Sequence, residues 1–136
     1  MENNLGIYDN ISRKKYYGNL KMVGIIYKLY SPDCEKIYIG STSRENLNIR
    51  FHEHKGQSKP TNRRNSTSQY LFRNYDKVFI EPLETFEDID KKDLAIIETK
   101  YILKNNCLNE RIPVKKSILK RIMKEENIQL KEDNIP

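Results

Sequence analysis

The sequence has no long apolar run, and this excludes a membrane-spanning protein. No hydrophobic stretch approaches the roughly 18 residues that a transmembrane helix requires. The polar start MENNLG does not have the apolar segment of a secretory signal peptide. We therefore expect an intracellular protein with no membrane partner.

Closely spaced cysteines are also missing. The chain has 2 cysteines, Cys34 and Cys107, which lie far apart and are expected to be reduced thiols. A zinc site can be drawn from these two with His52 and His54, but it lacks the close cysteine pair of common structural zinc sites. Zinc binding stays an alternative on the sequence alone.

The chain length and the charge balance narrow the remaining classes. A chain of 136 residues without internal repeats fits one domain with a short tail. Its 25 Lys and Arg against 19 Asp and Glu give a net charge of +6, which favours a polyanionic partner. Nucleic acid is the expected partner and a membrane is not, with binding to an acidic membrane surface or an acidic protein kept as the alternative.

Three segments have the composition of β-strands. VGIIYKLY and KIYIGS are rich in Ile, Val and Tyr and flank SPDC, which suits a tight turn, so a β-hairpin is predicted. A loop centred on residues 31–34 places Tyr27 opposite Tyr38. KVFIEPLETF is predicted as a third strand, at a sheet edge because of Pro82.

The remaining segments predict helices. SRENLNIRFHEHK is expected to form a helix capped by Ser43, and STSQYLFRNY a short helix with its own capping residue. DIDKKDLAIIETKYILKNN is the strongest helical pattern, with Asp90 as its cap. A basic helix is expected in the segment 111–124, which has no acidic residue and contains Arg111, Lys115, Lys116, Lys120, Arg121 and Lys124.

Polar side chains on apolar helix faces mark a candidate site. Arg50 and His54 share the predicted core-facing stripe of the first helix, whereas His52 points elsewhere. Glu98 lies on the apolar side of the strongest helix, either paired with a cation such as Arg50 or holding a metal. Together with Tyr27 and Tyr38 they match a phosphodiester-cleaving site with one hard cation, Mg²⁺ or Mn²⁺. The alternative is an ordinary aromatic pair and an internal ion pair.

An earlier stretch, GIYDNISRKKYYG, contains the same tyrosine and glycine letters. Pairing Tyr8 with Tyr17 puts Ser12 and Arg13 at the tip of the supposed hairpin, and nothing in the flanking residues favours strands. We interpret this stretch as a coincidence within an irregular N-terminal arm.

The segments GIIYKLY, KIYIGST, LNIRFHEH, DLAIIETKYI and CLN, in this order over about residues 22–113, resemble the GIY-YIG nuclease superfamily. The downstream run STSQYLFRNYDKVFIEPLE resembles small members from large DNA viruses and mobile elements. The resemblance implies an α+β fold, a three-stranded antiparallel sheet flanked by helices, and a metal-dependent DNA endonuclease. If a virus encodes the protein, it acts in the cytoplasm or nucleus of the host cell.

The resemblance also implies a role for each matching residue. Tyr27 and Tyr38 would flank the scissile phosphate and activate water, and Arg50 would stabilise phosphate charge. His54 would fill an accessory position, Glu98 would bind Mg²⁺ or Mn²⁺, and Asn109 would support the site. Two departures are visible in the sequence: Gly24 stands one position early in the first motif, and Ser41 replaces a lysine found in repair-type members.

The predicted organisation has three parts: an irregular arm at 1–20, the nuclease domain at 21–113, and a basic C-terminal helix and tail at 114–136. Predicted DNA contacts come from the loop at 56–65 and from the C-terminal helix, namely Lys59, Arg63, Arg64, Lys115, Lys116, Lys120 and Arg121. No zinc finger or helix-turn-helix is recognisable, so specificity would come from DNA structure, a homodimer or a partner. The main alternative function is a non-catalytic nucleic-acid-binding module of the same fold.

Overall fold

The computed structural model describes residues 22–59 and 67–128. Their antiparallel sheet has three strands in the order β2-β1-β3, formed by β1 (Met22–Tyr30), β2 (Tyr38–Thr42) and β3 (Phe79–Ile89). The helices are α1 (Leu47–Gln57), α2 (Gln69–Asn74), α3 (Lys91–Lys104) and α4 (Lys116–Glu125). The predicted α+β fold, a three-stranded antiparallel sheet flanked by helices, is confirmed.

The central strand β1 separates two apolar layers because its side chains alternate between the faces of the sheet. Ile26 packs with Leu94 and Ile102 of α3 on one face. Tyr27 and Leu29 pack on the other face, against α1 and against Leu71 of α2. Each layer is a packed cluster of buried side chains, so polar side chains that enter a layer from the helices are held in fixed positions.

The hairpin register differs from the prediction. Tyr27 lies opposite Gly40, and Tyr38 lies opposite Leu29. The loop spans residues 31–37 because Ile37 is used elsewhere, forming a parallel bridge with Cys107. The shift is two residues, which preserves the face, so Tyr27 and Tyr38 still lie on the same side of the sheet as diagonal neighbours.

The outer edge of β2 is covered by residues 106–109. The Ile37 N–H donates to the Asn106 carbonyl at 3.0 Å, and the Leu108 N–H donates to the Ile37 carbonyl at 2.7 Å. The Asn109 side chain continues the pairing, because its Oδ1 accepts from the Ile39 N–H at 2.9 Å and its Nδ2 donates to the Ile39 carbonyl at 2.7 Å. A side-chain amide here replaces a strand partner and fixes the backbone of the YIG segment.

The opposite edge is β3, as the proline predicted. Pro82 pairs with Tyr27 next to a register shift between Ile26 and Tyr27. A proline without an N–H is tolerated at such an irregularity on an edge strand.

Two helix boundaries differ from the sequence expectation. The cap of α1 is Asn46, whose side chain accepts from the Asn48 N–H, and not Ser43. The C-terminal helix begins at Lys116, so Arg111 and Lys115 precede it. Pro113 accounts for the exclusion of Arg111 and Ile112, since the residue before a proline is disfavoured in helical geometry. Asp90 caps α3 as predicted.

Two further expectations concern the described residues as a whole. No helix within 22–59 and 67–128 has the length and apolarity to cross a membrane. The zinc alternative is wrong, because no group of three or more His, Cys, Asp or Glu side chains in these ranges is arranged to hold a metal. The N-terminal arm, Arg63, Arg64 and the last residues of the tail lie outside the described residues.

Two glycines test the packing. A Cβ at Gly24 would lie 2.7 Å from Ile89 Cγ2 and 2.9 Å from Leu94 Cδ1, whereas at Gly56 it would meet nothing within 4 Å. We expect Gly24→Ala to lower the free energy of unfolding by about 1–3 kcal/mol through overpacking. Gly56→Ala in α1 should raise it by about 0.5 kcal/mol. Urea unfolding followed by circular dichroism measures both, and equal effects of the two changes would contradict this packing.

Candidate active site

The site is built around the phenol of Tyr27, at the centre of the sheet. The side chain has 0% of its surface exposed. Its hydroxyl oxygen accepts a hydrogen bond from Arg50 Nε at 3.1 Å and lies 2.7 Å from His54 Nε2. Both partners come from successive turns of α1, so the predicted core-facing stripe of that helix is confirmed and brings them to the tyrosine.

The hydrogen-bond donors around Tyr27 determine where the protons of Tyr27 and His54 lie. Arg50 can only donate, so the Tyr27 proton is directed to His54 Nε2, which accepts it as a neutral imidazole. The other ring nitrogen, Nδ1, lies 2.8 Å from Ser68 Oγ and carries the imidazole proton in this arrangement. Burial and the nearby Arg50 charge lower the pKa of His54 to about 3, so the ring stays neutral at physiological pH.

Gly40 makes room for the Tyr27 ring. A Cβ at this position would lie 2.5 Å from Tyr27 Cζ, closer than two carbon atoms can approach without displacing each other. The glycine of the YIG segment is therefore required by the tyrosine directly opposite it across β1 and β2. The glycine at position 40 of the sequence motif is thus explained by packing against the Tyr27 ring.

Tyr38 stands beside this pair. Its ring lies edge-on to His54, with ring centroids 5.4 Å apart. Burial raises the pKa of Tyr38; the Glu98 charge also raises it, while Arg50 lowers it. The Tyr38 phenol therefore lies within the electrostatic influence of both the arginine and the carboxylate.

Glu98 reaches the site from the opposite layer. It extends from α3 to the end of β2, where Ser41 Oγ donates to its Oε1 at 2.5 Å. Of the two roles expected for this carboxylate, the ion pair with Arg50 does not form: no basic side chain within residues 22–59 and 67–128 forms a salt bridge with Glu98. Burial raises its pKa above the ordinary range, although Ser41 and Arg50 oppose that shift.

The donor set fits a hard cation that keeps most of its water ligands. Mg²⁺ commonly uses one or two protein carboxylates, and Glu98 provides one that is partly buried and, in the part of the chain that the structure describes, hydrogen-bonded by the Ser41 hydroxyl alone. Glu98 is not part of a group of three or more His, Cys, Asp or Glu side chains that could hold a metal within the described ranges. The fit is therefore to a single, mostly hydrated ion.

Asn109 lies at the outer edge of β2, away from the polar side chains around Tyr27. Its two bonds to the backbone of Ile39 hold β2 between Tyr38 and Gly40. This placement agrees with a supporting role for the asparagine.

Two contributors were not identified from sequence. Ser68 lies in the segment that was expected to supply a capping residue for α2; it makes no side-chain capping bond and instead contacts His54. Ser41 was noted as a missing lysine, yet its hydroxyl orients Glu98. A serine before a helix is ambiguous in sequence, because both roles use the same hydroxyl.

These residues lie in a segment of the chain that a known family model matches. The model of the GIY-YIG catalytic domain matches residues 23–111. The chain belongs to the GIY-YIG nuclease superfamily. No curated protein and no solved structure matches it significantly.

Among the described residues, the predicted DNA contacts lie outside this GIY-YIG centre. Lys59 is exposed at the end of α1. The apolar side of α4 packs inward, with Ile122 1% exposed, and Glu126 just beyond it pairs with Lys104 of α3 at 2.6 Å. The predicted basic residues Lys115, Lys116, Lys120 and Arg121 are all exposed.

The buried neutral His54 predicts how stability depends on pH. Its folded pKa of about 3 lies below the ordinary 6.5, so the unfolded chain binds the extra proton between these values. This component is fully present above pH 6.5 and is lost as the pH falls towards 3, at up to about 1.4 kcal/mol per pH unit. Urea unfolding at pH 7, 5.5 and 4.5 measures it.

His54→Gln is the matched comparison, because Glu98, whose pKa is raised, acts in the opposite direction in both proteins. The variant should be less stable at pH 7 and should lose less stability on acidification. Parallel curves for the two proteins would contradict a buried neutral His54.

Proposed function

We propose that this chain is a divalent-metal-dependent endodeoxyribonuclease that hydrolyses phosphodiester bonds at the Tyr27 site. The observation that carries the proposal is the phenol held between a cationic donor, Arg50, and a neutral acceptor, His54. A partly buried carboxylate without a salt-bridge partner in the described residues, Glu98, lies beside it. An apolar side chain at position 27 would fill the face of the sheet without these polar partners, whereas water activation next to a phosphate uses each part.

Tyr27 acts as a proton relay and not as a preformed phenolate. Burial raises its pKa well above that of a free phenol, and the opposing charge of Arg50 does not cancel that effect. A phenol that passes its own proton to His54 Nε2 can accept the proton of the attacking water at the same time. The relay removes the need for a phenolate at neutral pH.

Proton transfer from Tyr27 to His54 becomes favourable only when a substrate phosphate is bound, because of the charge on that phosphate. In the free protein the low pKa of His54 opposes imidazolium formation. The negative charge that develops on the attacked phosphate favours both a protonated His54 and Arg50, so the cost falls as the reaction proceeds.

Arg50 also controls access to the phenol. Tyr27 has no exposed surface, while the Arg50 side chain is 26% exposed. When the guanidinium group turns to a phosphate, its Nε–H leaves the Tyr27 oxygen, and the freed lone pair accepts a hydrogen bond from water. Tyr38 then orients the same water or a phosphate oxygen.

Glu98 would hold the cation, with Ser41 orienting the carboxylate. Bound Mg²⁺ or Mn²⁺ would neutralise charge on the phosphate and its leaving oxygen. The exposed positive charges of α4, with Lys59 and the loop residues Arg63 and Arg64, would attract the DNA backbone.

Removal of the Tyr27 hydroxyl tests the relay. Tyr27→Phe keeps the ring and should lower the cleavage rate of supercoiled plasmid in Mg²⁺ by about 10² to 10⁴. Tyr30→Phe, on the same strand but packed against Phe79, is the matched control and should cleave normally. Circular dichroism checks folding, and a fully active Tyr27→Phe protein would refute the relay.

Glu98→Gln tests the metal site, since the amide oxygen can still accept from Ser41 but the charge is lost. We expect cleavage in Mg²⁺ and Mn²⁺ to fall to the level seen with EDTA, and calorimetric Mn²⁺ binding to weaken. An active variant would exclude Glu98 as the ligand. A wild-type protein that binds DNA in a salt-sensitive way but cuts it with neither metal would favour the non-catalytic binding module.

The charges of α4 are tested by the salt dependence of DNA binding. Lys120→Gln with Arg121→Gln should reduce the slope of log affinity against log salt by about 2 if both contact phosphates. The control pair Lys91→Gln with Lys92→Gln, exposed on the first turn of α3, should leave the slope unchanged. Equal slopes for both pairs would remove α4 from the interface.

A further inference from the structure

An acidic residue of α1 joins the active-site arginine to a second arginine. Glu53 Oε1 lies 3.4 Å from Arg50 Nη1, and Glu53 Oε2 lies 3.0 Å from Arg44 Nη2. Arg44 is neither among the sequence-predicted site residues nor in contact with Tyr27. One carboxylate that uses both oxygens brings the two guanidinium groups side by side.

The exposed fraction of the side chains increases steadily from Tyr27 through Arg50 and Glu53 to Arg44. Tyr27 is 0% exposed. The exposed fraction of the side chain is 26% for Arg50, 35% for Glu53 and 52% for Arg44. Exposure therefore increases from the phenol through Arg50 and Glu53 to Arg44, which puts Arg44 on the more open side of the site.

The position of Arg44 is fixed by the backbone that precedes α1. Its N–H donates to Thr42 Oγ1 at 3.1 Å, directly after β2 ends. Thr42 follows the Gly40 and Ser41 positions on the same strand. The base of the Arg44 side chain is thus tied to the strand that carries Tyr38, while its guanidinium group is held by Glu53.

We propose that Arg44 binds the DNA phosphate next to the scissile one, on the open side of the site. Glu53 bridges the two guanidinium groups with one oxygen on each. A phosphodiester carries the same single negative charge and can bind a guanidinium group bidentately, so phosphates can replace Glu53 on both arginines. Successive phosphates of one strand are spaced at about 3.4 Å along the duplex axis, which allows neighbouring groups to meet neighbouring arginines. This inference rests on the proposed nuclease function, because it takes Arg50 as the ligand of the scissile phosphate.

Binding of a fluorescein-labelled DNA duplex in EDTA tests the proposal without requiring cleavage. Arg44→Gln should weaken binding about tenfold at moderate salt and lower the salt slope by about 1. Arg44→Lys, which retains the charge, should recover the slope but only part of the affinity, because a point charge lacks the bidentate fork. Lys91→Gln is the control for loss of an exposed charge and should bind like the wild type.

Cleavage in Mg²⁺ gives a second readout. Arg44→Gln should raise KM much more than it lowers kcat, because its phosphate does not react. Because the Arg44 side chain is half exposed, the substitution should not disturb the fold, and thermal unfolding of the variant checks this.

The outcomes separate this inference from the proposed function. An Arg44→Gln protein with wild-type affinity and salt slope overturns the inference even if the wild type cuts DNA. If the wild type binds DNA but does not cut it, the nuclease proposal fails, while the loss of affinity and slope on Arg44→Gln still supports phosphate binding. A wild-type protein that does not bind the duplex overturns both.

Discussion

The buried hydroxyl of Tyr27 is the constraint on which the rest of the structure depends. A phenol with no exposed surface must have its hydrogen bonds satisfied inside the protein, and Arg50 and His54 satisfy them. To reach it, both must lie on the inner face of α1. The stability of the core and the geometry of the proposed relay therefore use the same contacts, and this ties the reactive group to a rigid strand.

β2 connects the two sides of the sheet at the site. Its residues alternate between the faces, so Tyr38 and Gly40 meet the α1 layer while Ser41 meets Glu98 of α3. The Asn109 clamp on Ile39 fixes the short strand from its outer edge. A five-residue edge strand would otherwise be held on one side only.

In our proposal, a carboxylate occupies the active-site arginines until a substrate phosphate binds. Glu53 neutralises part of the charge of Arg50, and Arg50 in turn covers the Tyr27 phenol. In our proposal phosphate is the competitor that releases both contacts, since a phosphodiester group carries one negative charge, as the carboxylate does, and can bind a guanidinium group through two oxygens. The inactive arrangement and the productive one then differ mainly in which anion the arginines hold.

Much of the site could be predicted because local patterns carry it. The stripe on α1 brought together Arg50 and His54, and the β-strand composition placed Tyr27 and Tyr38 on one face of a sheet. The face survived a wrong register because the side-chain period of a strand is 2, so a two-residue shift preserves it.

By itself the sequence determined the α+β class, the edge position of the proline strand, the cap of α3 and the family motif, all of which depend on residues close together in the chain. Only the tertiary structure decided the hairpin register, because Ile37 pairs with a segment about 70 residues away. It also decided the partners of His54, Glu98 and Glu53. These depend on which hydroxyls, carboxylates and guanidinium groups the packed layers bring within bonding distance, and no local pattern encodes that distance.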